Sequence, residues 1–153
     1  MIFPASVPEK QRFRLTEDDY RLLYRCMSEL PVESAHPFYD RKDFPPAYVK
    51  FLLYGADSSA RMIPSVRIFN KVGWAYGFLT DNAYIVDFDK KVEFMLSATI
   101  YVNKDDIQND DTYEYDQVGL PFLKKLGRVI YEYELQRPRK YLPVLSRYKV
   151  DYR

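Results

Sequence analysis

The sequence has one cysteine, Cys26, and one histidine, His36, in 153 residues. A single thiol excludes an intrachain disulfide, and one thiol with one imidazole argues against a structural zinc site. No apolar run approaches the roughly 20 residues a membrane-spanning helix needs. Neither sign of charge is in excess: the formal net charge is +1, which gives no general grip on nucleic acid or on an anionic membrane. The opening MIFPASVPEK has neither a basic n-region nor an apolar h-region, so it does not read as a signal peptide. No motif implies a cofactor, and there is no internal repeat or low-complexity tract.

Aromatic residues are plentiful. They make up 17% of the chain, with fifteen tyrosines, so the core is expected to be ring-rich and partly hydrogen-bonded. The length fits one domain, 1–153. Within it the pattern reads as an arm (1–14), a helical segment (15–64), a sheet-plus-helix segment (65–137) and a polar tail (138–153).

A helix is expected over 16–30. Thr16 caps it, Asp19 stands three residues on, and Tyr20, Leu23, Tyr24, Met27 and Leu30 recur at helical spacing. Cys26 lies off that stripe and reads as a thiol without a role. Residues 31–45 carry three prolines and His36 and read as a loop. PPAYVKFLLYG reads as a second helix, about 46–54, with Pro46 in its first turn and Gly55 after its end. From Val66 the period becomes that of strands, about 66–74, 77–88 and 92–102. Asp89-Lys90-Lys91 makes the last two a hairpin. Residues 75–81 are open between a wide loop and an extension of the first hairpin. KDDIQNDDTYEYD at 104–116 is acidic but lacks the ligand spacing of a calcium loop, so it reads as a solvated connection. The strongest helix follows, about 118–137, with Val118, Phe122, Leu126, Val129 and Tyr133 as one stripe and Leu123 and Ile130 beside it. The fold class is α+β: a three-stranded antiparallel sheet packed by a long C-terminal helix and preceded by two helices.

One phrase holds possible chemistry. Lys71-Val72-Gly73, followed by Trp74, ends the first strand. A fixed ammonium there offers charge to a carboxylate or hydroxyl. A glycine lets a ligand lie against the strand, and the following backbone N–H groups are donors for an oxyanion. In this context, NKVGWAYGFLTDNAYIVDF resembles the C-terminal part of the penicillin-recognising serine hydrolases, the family of class A β-lactamases and penicillin-binding proteins, whose third signature is Lys-Thr/Ser-Gly on such a strand. The resemblance spans most of this chain and about the last half of a complete family member.

The resemblance implies catalytic roles for Lys71, Gly73 and the Trp74 backbone N–H, the last as one oxyanion-hole donor. It implies substrate-binding roles for Lys71 and Val72. Val72 replaces the family's hydroxyl residue, so a hold on a substrate carboxylate is lost. The nucleophile signature Ser-x-x-Lys has one literal match, Ser146-Arg147-Tyr148-Lys149, and Tyr-x-Asn has one, Tyr101-Val102-Asn103. Both come after the strand rather than before it and are read as accidents. Without an activated serine there is no acyl-enzyme, so the chain is expected to be inactive by itself. Three readings stand: the C-terminal segment of a β-lactamase-like hydrolase, a non-catalytic binding or oligomerisation module derived from that fold, and an unrelated α+β domain. An export signal, if the whole protein has one, precedes Met1.

The resemblance also implies an N-terminal strand beside the third strand, and a helix beside the last one, that this chain does not contain. The 92–102 strand should then present a free edge, and the 118–133 stripe should be incompletely covered. The partner is expected to be the missing N-terminal part of the family domain, or a second copy joined through the 92–102 strands, with the 1–14 arm as an alternative cover.

Overall fold

The computed structural model describes residues 2–152. Strands β1 (Val66–Ala75), β2 (Phe78–Asp87) and β3 (Val92–Tyr101) form one antiparallel sheet in the order β1-β2-β3. The register runs without a bulge, from Val66 opposite Asp87 to Ala75 opposite Phe78, and from Phe78 opposite Tyr101 to Asp87 opposite Val92. The region left open by sequence is an extended hairpin. Its two-residue turn, Tyr76-Gly77, has φ of 50° and 83°, the positive values that match the twist of the flanking strands. At the other hairpin the Asp87 carboxylate accepts the N–H groups of Asp89 and Lys90, each at 3.0 Å, and the Tyr131 hydroxyl at 2.6 Å. Burial alone would raise the Asp87 pKa, but these donors together hold it below its ordinary value.

Both faces of the sheet are used. Alternation along the pleat sends Val66, Ile68, Leu79, Ala83 and Ile85 to one side, where they pack with Phe51, Leu52, Leu53, Leu120, Leu123 and Tyr131. It sends Phe69, Tyr84 and Val86 to the other, where they meet Tyr20, Tyr24, Ile2, Leu145 and Tyr148. The second core is a set of rings. Tyr148 lies 4.9 Å from Tyr84 and 5.4 Å from Tyr24, centroid to centroid.

Helix α1 (Glu17–Ser28) begins with the expected capping box: Thr16 accepts from the Asp19 N–H, and the Asp19 carboxylate accepts from the Thr16 N–H. The expected 46–54 helix is corrected to a single turn, α2 (Phe51–Tyr54), in which Leu52 is extended and Leu53 has φ of 78°. Pro46 lies in the loop before this turn and not in its first turn, whereas Gly55 does follow its end as expected, with φ of 62° and its N–H on Phe51 O. The long helix, α3 (Leu120–Gln136), is preceded by a wider π-type turn at Tyr115–Gly119.

The ends pack into the ring core. In the arm, Ile2 is buried, and Phe3 lies edge-on to Tyr84 at 5.1 Å. The tail is not merely polar, because Leu145 and Tyr148 are buried and the Tyr148 hydroxyl donates to Ile2 O at 3.0 Å. No helix among the described residues is long and apolar enough to cross a membrane.

Candidate functional site at the open end of the first strand

The sheet has two different ends. Near the start of β1, the outer edge is occupied. Arg67 holds Glu33 with two charge-assisted hydrogen bonds, of 2.8 and 2.5 Å, and Lys50 Nζ donates to Ile68 O at 3.0 Å. Because Ile68 O points to that outer edge, the period of two turns the backbone groups of Val72 and Trp74 the same way. Past Asn70 this edge carries no strand. The Trp74 N–H therefore faces the open side of β1.

Lys71 lies on the same face as Phe69, two residues on. Phe69 is fully buried against Tyr24 of α1, whereas Lys71 is exposed and donates to Val72 O at 2.5 Å. Its ammonium stands in the open, beyond the end of the ring core, and not in a dry pocket. The floor beside it is polar. Asn82 and then Ser97 lie across from Lys71, and Thr80 and then Thr99 lie across from Gly73. Ser97 Oγ donates to Asn82 Oδ1 at 2.5 Å, and the two threonine hydroxyls are 2.8 Å apart. Sequence reading missed this floor as part of the site. The polar positions 97 and 99 were visible in the alternation of β3, but their alignment with Lys71 needed the register.

Val72 is half-buried on the opposite face, against the first core. Trp74 is on that face too, 46% exposed. Its ring meets Phe51 and Tyr115 edge-on at 5.6 and 5.4 Å. Tyr115 in turn accepts the Gly77 N–H at 2.7 Å. Gly73 is not required by its surroundings. A Cβ there would meet only Thr80 Cβ, at an ordinary 3.6 Å.

Beneath this end lies a buried polar knot. Lys50 is 2% exposed and its three protons are all used, on Met27 O, Ile68 O and Asn70 Oδ1 at 2.9, 3.0 and 2.7 Å. Asn70 Nδ2 donates to Val49 O and to Asp81 Oδ1, at 2.8 and 2.9 Å. The fully buried Asp81 also accepts the Leu52 N–H at 3.0 Å. Burial pulls Lys50 down to about 8 and pushes Asp81 up from its ordinary value. The knot pins residues 49–52 in their irregular path and so sets Phe51 under Trp74.

The literal motif matches do not join this site. Asn103 is buried, and its amide closes the turn after β3 by donating to Ile107 O at 3.0 Å. Ser146 and Lys149 are exposed on the tail, where they line a cleft of about 780 Å³ between the tail and α1. That cleft contains none of Lys71, Gly73 or Trp74. Cys26 and His36 are exposed. Within the expected solvated connection, residues 104–112 are exposed, and the Asp105 and Asp110 carboxylates accept N–H groups of their own turns, from Ile107 and Thr112, whereas Tyr113, Glu114 and Tyr115 are half-buried. Among the described residues, no group of three His, Cys, Asp or Glu side chains is placed to hold a metal ion.

Compared with models of known protein families, with curated proteins and with solved structures, the chain matches none. What the fold and the site define is therefore a class of architecture: an α+β sandwich with a lysine-glycine strand end exposed at one edge.

Proposed function

We propose that this chain is the C-terminal segment of a β-lactamase-like serine hydrolase and supplies one wall of its acyl-transfer site. In this reading Lys71 provides the fixed positive charge, the Trp74 N–H is an oxyanion donor, and Gly73 keeps the strand flat for an acyl group lying along it. The attacking serine and its base belong to polypeptide outside residues 1–153. The observation that carries the reading is the glycine. Neither a close contact nor a positive φ requires Gly73, and a strand interior loses stability by having it, so its value lies in what approaches the bare sheet face beside Lys71.

The test is covalent labelling with a fluorescent penicillin and turnover of a chromogenic cephalosporin. Residues 1–153 alone should do neither. When the upstream polypeptide carrying Ser-x-x-Lys is restored, labelling should appear on that serine and fall at least about a hundredfold with Lys71→Ala. Labelling of any serine within residues 1–153 counts against the proposal. A second reading, a binding or oligomerisation module without catalysis, is favoured by one observation: the Lys71 ammonium is exposed and donates to the neighbouring Val72 carbonyl. Failure of the restored protein to label would leave that reading standing.

A further inference from the structure

The opposite edge of the sheet carries a surface that the Lys71 strand end does not use. The proposed hydrolase would seat its upstream strand and helix there, so pairing of this surface in residues 1–153 by themselves stands apart from that reading. Helix α3 has two apolar faces. Leu120, Leu123 and Tyr131 point into the core, while Phe122, Val129 and Tyr133 are 46%, 52% and 60% exposed. With half-buried Leu126 these three follow the spacing of one continuous stripe. Below it β3 ends the sheet, pairing among the described residues with β2 alone. The Gly77 carbonyl accepts the Val102 N–H, so even-numbered residues of β3 face β2. The outward backbone groups are those of Glu93, Met95, Ser97, Thr99 and Tyr101. This edge is ten residues long, with no proline and no lysine or arginine to discourage pairing.

We infer that this surface joins two copies of the chain about a two-fold axis, β3 against β3 and α3 against α3. Two independent features fit the same axis. The outward set of β3 is symmetric about Ser97, so antiparallel pairing with Ser97 opposite itself also sets Met95 opposite Thr99, while Glu93, at the start of the edge, lies beside the 137–143 segment. Helix α3 runs antiparallel to β3: Gly119 lies against Val102 and Leu79 at one end, and Arg139 donates to Lys91 O at 2.9 Å at the other. The middle of α3 therefore sits over the middle of β3. An axis through Ser97 sets Phe122 opposite Tyr133 and Leu126 opposite Val129 of the other copy.

The charges flanking the stripe match the same arrangement. Lys125 and Glu132 are both exposed, and neither is in an ion pair among the described residues. The same axis brings Lys125 of each copy within two residues, about 3 Å of helix rise, of the point opposite Glu132 of the other, close enough for the flank to be self-complementary in charge. The open edge of β1, with Lys71 and Trp74, stays free on the far side of each sheet.

Sedimentation equilibrium on the full chain tests this. The expected mass is twice 18.3 kDa at micromolar concentration. Lys125→Glu alone and Glu132→Lys alone should each weaken the dimer by roughly tenfold or more, because each creates two like-charge contacts. The double variant should restore the affinity. Far-UV circular dichroism of each variant checks that the exposed substitutions leave the fold intact. A monomer throughout the micromolar range overturns the inference and leaves this face to a different polypeptide. A dimer indifferent to the single reversals, or not rescued by the double one, overturns the register.

Discussion

Two glycines of this chain do opposite work. Gly127 lets α3 press onto the irregular loop, and a Cβ there would come within 2.5 Å of Leu53 N. Gly127→Ala should therefore cost about 1–3 kcal/mol through overpacking, read as a lower urea midpoint. Gly73 meets no such contact, so Gly73→Ala should leave the isolated chain as stable or gain up to about 1 kcal/mol. If the acyl-transfer reading holds, the same substitution should reduce turnover by the restored enzyme. A variant that is both more stable and fully active would remove the glycine argument.

Lys50 gives a pH signature. Its folded pKa is about 8 and its ordinary value 10.5, so between these values the unfolded chain holds a proton that the folded chain has released. Stability then rises with pH through that window. The expected gain is on the order of 2–3 kcal/mol between pH 8 and 10. Tyrosines raised by burial, Tyr84 and Tyr131 among them, reverse the trend above pH 10. Urea unfolding followed through Trp74, the single tryptophan, should show the rise, and Lys50→Met should abolish it.

At the scale of elements, α3 shows why spacing and burial are separate questions. Its sequence carries two overlapping apolar stripes. The stripe most regular by spacing, Val118 to Tyr133, is the outer one. Leu123, placed beside it by periodicity, is fully buried. Leu123→Ala should lower the unfolding free energy by about 2–5 kcal/mol. Phe122→Ala, measured at dilution where the chain is monomeric, should stay within about 0.5 kcal/mol. The choice between faces was made by Gly127 and by Tyr131, whose hydroxyl reaches Asp87. A helical wheel ranks neither residue as an anchor. The β1–β2 hairpin is the simpler case: Gly77 sits where positive φ is needed, and alternation on both sides extends the strands to the turn.

The whole molecule is closed by its two ends. Ile2, Phe3, Leu145 and Tyr148 complete the ring core over one half of the sheet and leave the Lys71 half bare. Tyr148→Ala should cost about 3 kcal/mol or more, seen as a lower midpoint of thermal unfolding, because it removes a buried ring touching Tyr24, Phe69 and Tyr84. In the sequence these residues sit among prolines and charges with no period, so nothing local marked them as core. Their burial depends on surfaces distant in the chain, 22 residues away for Ile2 with Tyr24 and 64 for Tyr148 with Tyr84.

The candidate site was legible in part for the same reason. Lys71, Gly73 and Trp74 could be read as a strand end from alternation alone. The polar floor of Thr80, Asn82, Ser97 and Thr99, and the knot of Lys50, Asn70 and Asp81, could not. Both are assembled across strands and a loop.

By itself, the sequence determined the type and order of the main elements, the first helix cap and the three-stranded meander, because periodicity, capping and turn chemistry act within a few residues. Only the tertiary structure decided which face of α3 is inside, which end of the sheet is bare, and that a loop replaces the second helix. Those outcomes follow from the burial of apolar area and the pairing of buried polar groups between distant segments, for which no local pattern codes.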